Sequence, residues 1–370
     1  MKFSCDKSSL QSAVNTALRA ASVRNPLPVL DGLLITVGSD FVRITGYDLK
    51  KAIYTNISAE VFSEGKIVVN ARLTDEIVRS MPDGQVTFER ERDNICRLRC
   101  GNADFSIIGL DPDEYPDLPY IETQSSFELP QNTLKAMINE TIFAVSNNES
   151  RPIYTGSLFE IAEGALTIVS VDGFRLAVRR EGVETLGELQ ASFVVPGTSL
   201  GELERICRDT EENVSIVLDA RHISFSFGDT VLISRRIEGE FMDYKKSIPT
   251  DFASNMLVER SNLSRSVERV SLIIDDRTKS PVHLLIGDSN LKLFCVTTLG
   301  KAEDICPTDG EGIETEIGFN HRYMLEALRA APSEFLRIGF GTASSPIVIT
   351  PEDGDNFLYM ILPVRLKAEA

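Results

Sequence analysis

Three segments of this chain repeat one another, and that repetition restricts the fold more than any other feature of the sequence. Phe3-Ser4-Cys5-Asp6-Lys7-Ser8-Ser9-Leu10 is matched by Phe127-Glu128-Leu129-Pro130-Gln131-Asn132-Thr133-Leu134 and by Leu257-Val258-Glu259-Arg260-Ser261-Asn262-Leu263. Each reads as a short strand, a polar start, and a leucine at the head of an amphipathic helix. The anchors Leu10, Leu134 and Leu263 lie 124 and 129 residues apart. The next strands repeat as well, at 30–35, 155–160 and 281–286, and so do the hairpin centres at 44–48, 169–173 and 294–298. A second helix recurs in "VVNARLTDEIVRSM" (68–81), "VVPGTSLGELERIC" (194–207) and "IGFNHRYMLEALRA" (317–330). Each of these is an apolar strand, a polar cap and a helix with Leu or Ile at three- and four-residue spacing. Alternating strands follow, as in "VSIVLDARHISFSF" (214–227), and "DEYPDLP" (113–119) and "EFMDYKKSIP" (240–249) close the first two copies alike. The expected fold class is α+β, with tandem domains at 1–120, 121–250 and 251–370, each carrying two helices packed on antiparallel sheets.

A chain of 370 residues, 42% hydrophobic and 25% charged, is long enough for several cores and ordinary for a soluble protein. No apolar run approaches the roughly 18 residues that span a bilayer. The start, Met1-Lys2-Phe3-Ser4-Cys5-Asp6, turns polar at once, so a cytoplasmic protein with no membrane partner is expected. Six cysteines show no Cys-x-x-Cys spacing, and three histidines stand alone, so neither metal nor cofactor is expected. In "VDGFRLAV" (171–178) the Asp172-Gly173 pair reads as a tight turn, with Gly173 at positive φ. An acid/base set of Asp172, Asp48 and an arginine has no third group placed to raise a pKa, so catalysis is not expected.

The net charge of −17 argues against a nucleic-acid binder until its distribution is considered. The six helical windows (7–24, 71–80, 132–145, 198–208, 260–269, 320–330) carry +3, 0, 0, 0, +2 and +1, leaving −23 on the rest of the chain. Acid gathers in loops such as "DTEEN" (209–213) and "DGEGIETE" (309–316). Arg72/Arg79 and Arg322/Arg329 are each seven residues apart and share a helix face. Weakly positive helices in an acidic protein suit phosphate contacts without base readout.

"NPLPVLDGLLI" (25–35), "VDGFRLAV", "FMDYKKSIP" (241–249) and "ILPVRL" (361–366), in order along three tandem domains, resemble the bacterial DNA polymerase III beta subunit, the replication sliding clamp. The resemblance implies a DNA-clamp fold in a head-to-tail dimeric ring, helices lining the hole and sheets forming the rim. Twelve helices at roughly 10 Å spacing give a circumference of about 120 Å and an axis-to-axis diameter of about 38 Å, room for a duplex. It implies a non-catalytic processivity factor on duplex DNA without sequence preference. Its partners would be the replicative polymerase alpha subunit, the clamp loader, and other polymerases and repair proteins with clamp-binding motifs. A DNA-independent peptide-binding scaffold on the same repeats is the alternative.

Carried over residue by residue, the family's peptide pocket would comprise Tyr154, Val171, Gly173, Phe174, Arg175, Leu176, Met242, Pro346, Met360, Leu362, Pro363, Val364 and Arg365. It would receive a Gln followed by apolar and aromatic residues, with Arg175 and Arg365 orienting peptide carbonyls or acids. Phe174 stands where His or Tyr is common, Met242 where Pro is common, and Lys367-Ala368-Glu369-Ala370 extends past the usual end, which implies altered peptide preferences. For DNA the resemblance points to Arg24, Asn148 and Ile153, the last two without the usual Gln and Tyr; Lys135, Arg205, Arg265 and Arg322 are further phosphate-facing candidates. For the dimer seam it points to Phe105, Leu272, Ile273, Glu303 and Asp304.

Overall fold

A computed structural model describes residues 1–21, 27–183, 189–275 and 280–366. The first repeat contains β1 (Lys2–Asp6), α1 (Lys7–Leu18), β2 (Gly32–Val37), β3 (Val42–Tyr47), β4 (Lys51–Ile57), β5 (Glu60–Ser63), β6 (Gly65–Asn70), α2 (Ala71–Ser80), β7 (Gln85–Arg90), β8 (Ile95–Cys100) and β9 (Ala103–Ile108). The second contains β10 (Ser125–Pro130), α3 (Gln131–Asn139), β11 (Gly156–Ala162), β12 (Ala165–Val171), β13 (Arg175–Gly182), β14 (Ala191–Pro196), α4 (Gly197–Ile206), β15 (Asn213–Leu218), β16 (His222–Phe227) and β17 (Thr230–Arg235). The third contains β18 (Ser254–Glu259), α5 (Arg260–Ser271), β19 (Val282–Gly287), β20 (Asn290–Thr297), β21 (Gly300–Pro307), β22 (Thr315–Phe319), α6 (His321–Ala330), β23 (Phe335–Phe340), β24 (Ile347–Pro351) and β25 (Phe357–Ile361).

Local chemistry explains where the helices begin. Asp6 Oδ2 accepts from the Ser8 N–H at 2.9 Å, Asn70 Oδ1 from the Leu73 N–H at 2.9 Å, and Asn320 Oδ1 from the Arg322 N–H at 2.9 Å. Each cap satisfies an amide that the first turn leaves without a partner. The first helix ends at Leu18, earlier than the charge window reaching Arg24.

Among the described residues all pairings are antiparallel, in four sheets ordered β5-β1-β7-β8-β9, β10-β15-β16-β17-β4-β3-β2-β6, β14-β11-β12-β13-β25-β24-β23-β18 and β21-β20-β19-β22. Two sheets therefore run from one repeat into the next, joined at β4·β17 and at β13·β25. The chain accordingly divides into two compact units that cut across the repeats: Met1–Asn132 with Arg205–Arg236, and Thr133–Glu204 with Ile237 onward.

In the first unit α1 and α2 pack together against strands of both sheets, around Phe3, Leu10, Val14, Leu33, Val78 and Phe88. In the second, α5 and α6 do the same around Val258, Leu263, Val267, Phe319 and Leu328. A smaller apolar cluster lies at each internal joint. One holds Leu30, Tyr47, Ala52, Tyr115 and Ile233; the other holds Val171, Leu176, Val194, Tyr244 and Met360. The two closing motifs supply Tyr115 and Tyr244, 7% and 6% exposed, so their shared aspartate-and-tyrosine pattern reflects one packing role.

Candidate functional sites

The Asp172 turn is built by its own side chain. Asp172 Oδ1 accepts from the Phe174 and Arg175 N–H groups at 2.9 and 3.1 Å, Oδ2 accepts from Arg175 Nε at 2.9 Å, and Gly173 sits at φ +92°. The equivalent turns are alike. Asp48 Oδ1 accepts from the Lys50 and Lys51 N–H groups at 2.8 and 2.7 Å, and Thr297 Oγ1 from the Leu299 N–H at 3.1 Å. Asp172→Ala is expected to cost about 1–3 kcal/mol, since it removes the acceptor of two amides and one of the two carboxylates that pair with Arg175. Thermal unfolding at neutral pH checks it; an unchanged midpoint would refute the capping role.

Arg175 is buried, and its side chain is engaged within the chain. It pairs with Glu326 on α6 as well as Asp172, and its guanidinium lies 4.5 Å from the Tyr323 ring and 5.4 Å from the Phe143 ring. Its geometry therefore locks the turn to α6. Burial pushes the neighbouring Tyr323 hydroxyl up. Sequence reasoning missed Tyr323, Glu326 and Phe143, because each reads as part of an ordinary helical face or core segment.

The other pocket candidates form one surface in the second unit. Val171, Leu176 and Met360 are buried and make its floor, while Tyr154 and Met242 are half-buried beside them. Phe174 is exposed and stacks on Tyr323 at 6.2 Å, a second aromatic wall. Tyr154 meets Phe241 edge to face at 5.5 Å. Pro346 and Pro363 are half-buried, and Leu362, Val364 and Arg365 are exposed. The segment after β25 is a strap fastened at two points. The Leu362 N–H donates to Phe174 O at 2.8 Å and the Val364 N–H to Gly318 O at 2.7 Å. Residues 367–370 lie outside the described residues.

Arg24 also lies outside the described residues. Arg205, Arg265 and Arg322 are exposed on their helices, and Lys135 is half-buried. Asn148 is exposed, and its Oδ1 accepts from the Ser150 N–H at 3.0 Å. Ile153 packs against the apolar cluster containing Val194 and Tyr244, so its side chain serves packing. A cleft of about 580 Å³ in the first unit is lined by Ser8, Ser12, Asn15, Arg19, Arg205 and Arg208 among others. Its hydroxyls, amides and three guanidiniums suit phosphate oxygens, beside the carboxylates of Glu212 and Asp229. Arg19 and Arg208 emerge here as residues that the charge windows counted without singling out.

The edge strands β9 and β21 carry the seam candidates. Phe105 is half-buried on β9, where Ile108 is 79% exposed; on β21 Ile305 is 61% exposed, and Leu299 just before it 75%. At the end of α5, which packs on β21, Leu272 is 83% exposed and Ile273 half-buried. Glu303 pairs with Lys301 and Lys292 at 3.0 and 3.5 Å, and Asp304 accepts from Arg269 Nε at 2.6 Å. Asp304 thus already has a cation within its own chain.

Strand pairing makes the repeats comparable residue by residue. Phe3, Phe127 and Met256 precede equivalent helices, and successive pairings lead to Phe88, Ile216 and Ile338, then Leu98, Phe225 and Ile349, then Phe105, Leu232 and Tyr359. From Val68, Val194 and Gly318, before the second helices, pairings lead through Leu34, Leu158 and His283 to Tyr54, Val178 and Glu303, whose preceding residues are Ile53, Ala177 and Ala302. Both internal joints use the same register: Leu232 opposes Ile53, and Tyr359 opposes Ala177.

Three family profiles match in succession: DNA polymerase III beta subunit N-terminal domain over residues 1–119, central domain over 128–243 and C-terminal domain over 245–365. The chain belongs to the DNA polymerase III beta-subunit family. It is 35% identical to the beta sliding clamp of Halalkalibacterium halodurans over 378 residues, covering 99% of this chain and 100% of that protein. Identity to the Bacillus subtilis beta sliding clamp is 32%, again over 99% of this chain and 100% of the relative. The crystal structure of the Bacillus subtilis DNA polymerase sliding clamp superimposes with a TM-score of 0.96 at 31% identity, covering 99% and 100% of the two chains. Among the described residues, no cluster of this beta-subunit chain could hold a metal ion and no helix is long and apolar enough to cross a membrane.

Proposed function

We propose that this chain is a sliding clamp: two copies close head to tail around duplex DNA and hold a replicative polymerase there, with no catalytic step of their own. One observation carries the ring. Two sheets pass from repeat to repeat at β4·β17 and β13·β25 in a single register, while the equivalent strands β21 and β9 remain open edges. Unpaired edges are normally shielded. Pairing β21 of one copy with β9 of another in that register sets Ala302 opposite Phe105. Two such seams, with clamp domains at 1–120, 121–250 and 251–370, give six domains and twelve helices around a hole.

The helices and adjoining loops would meet phosphates through Arg24, Lys135, Arg205, Arg265, Arg322 and Asn148, a reading supported by the exposure of Arg205, Arg265, Arg322 and Asn148. An encircling protein needs little affinity, so an acidic total charge is tolerated. The surface from Tyr154 to Arg365 would take the Gln-led motif of the polymerase alpha subunit, the clamp loader and repair proteins, in the cytoplasm. Its apolar floor, aromatic walls and fastened strap support that reading.

The test loads purified protein onto nicked circular DNA with a bacterial clamp loader, removes free protein and then linearises the circles. Retention on circles and loss from cut ends is expected. Retention unaffected by cutting would indicate electrostatic binding, and absence of retention with a working control clamp would favour a DNA-independent peptide scaffold.

A further inference from the structure

The ring reading sets Phe105 of one copy opposite Ala302 of the next, and the same register fixes the neighbouring pairs. One residue along each strand stand Asp104 and Glu303. Their counterparts at the internal joints are Val231 opposite Tyr54 and Leu358 opposite Val178, and all four pack against the apolar clusters there. The next pair is Ser106 and Lys301, where the joints have Ile233 opposite Ala52 and Met360 opposite Leu176. On its outer face the seam is thus charged where the joints are apolar. We propose that Asp104 of one copy and Glu303 of the next face each other across the closed seam, and that this carboxylate pair weakens the pairing there. The inference rests on the ring reading.

Each carboxylate is already matched within its own chain. Arg97 Nε donates to Asp104 Oδ1 at 2.8 Å and Arg99 Nε lies 3.5 Å from Asp104, while Lys301 and Lys292 serve Glu303. Hydrogen bonds from these cations hold both carboxyls below the usual range, so both are charged at neutral pH. An open edge is consequently charge-satisfied and soluble alone. Closure adds a like-charge contact at cross-strand distance, roughly 4.5–5.5 Å between Cβ atoms, which destabilises the pairing. The other copy's Arg97 and Arg99 belong to the next strand, about 4.8 Å farther off, and Lys301, opposite Ser106, is diagonal to Asp104 and bound to Glu303 at 3.0 Å, so the directly opposed groups are the two carboxylates.

Dissociation on dilution of the labelled full-length chain at low ionic strength would be measured for wild type, Glu303→Lys, Asp104→Lys and the double variant. Both side chains are on exposed edges, so folding is preserved. Each single change turns repulsion into attraction at two seams and is expected to tighten the dimer about tenfold. The double variant sets Lys opposite Lys and is expected to return toward wild type. Equal effects of Glu303→Lys whether Asp or Lys occupies 104 would overturn the register while leaving the ring standing. A chain that stays monomeric at every concentration would overturn the ring itself.

Discussion

Phe105→Asp is expected to turn the ring into monomers. Phe105 holds the place that Leu232 and Tyr359 hold at the two internal joints, and both of those are 0% exposed. In the single chain Phe105 is only half-buried, and closure of the proposed ring would complete its burial. Losing that burial removes about 2 kcal/mol per seam, and an unpaired carboxylate in its place adds a desolvation cost. With two seams per ring, the dimer is expected to weaken by at least about 10³. Sedimentation equilibrium measures this, and far-UV circular dichroism confirms the monomer's fold. Phe105 also touches the first unit's core, so Leu272→Asp is the companion variant, altering a side chain that is already 83% exposed. Dimers persisting in both variants at micromolar concentration would refute this seam.

Gly318→Val is expected to weaken the proposed peptide binding while leaving the proposed ring intact. A Cβ at Gly318 would lie 2.5 Å from Leu366 Cδ2 and 2.7 Å from Val364 O. The carbonyl belongs to the strap's backbone, so the strap has to leave the edge of β22 to make room. Its hydrogen bond from the Val364 N–H then breaks, and Leu362, Pro363 and Val364 lose their fixed place beside Phe174 and Tyr323. Pre-organisation of a binding surface typically carries 1–3 kcal/mol, so affinity for a Gln-led apolar peptide is expected to fall about tenfold to a hundredfold. Fluorescence polarisation reads the affinity, and the dimer dissociation constant serves as control. Unchanged affinity would show that the strap contributes no contact.

Repeats were legible because helix periodicity and turn chemistry are local. Leu10, Leu134 and Leu263 head α1, α3 and α5, and Asp48, Asp172 and Thr297 build equivalent turns. The joints between repeats were not legible. Nothing in the alternation of β4 or β17 announces a partner about 175 residues away, since every strand of such a pattern offers the same backbone groups. Five pocket candidates share one apolar cluster, yet the resemblance could not say that Arg175 is held by Glu326, a contact between residues 151 apart. Ile153, a loop position that the resemblance placed near DNA, packs against an apolar cluster, a contact that the resemblance did not announce.

The β4·β17 joint has a consequence during synthesis. The ribosome completes β4 at Ile57, but β17 begins at Thr230. At roughly 5–20 residues per second, the nascent chain carries an unsealed strand for about ten to thirty seconds. Two nascent copies on one messenger could pair there wrongly. A holdase that shields β4 until β17 emerges, or slow local stretches of codons placed after residue 235, would raise the yield of correctly folded protein.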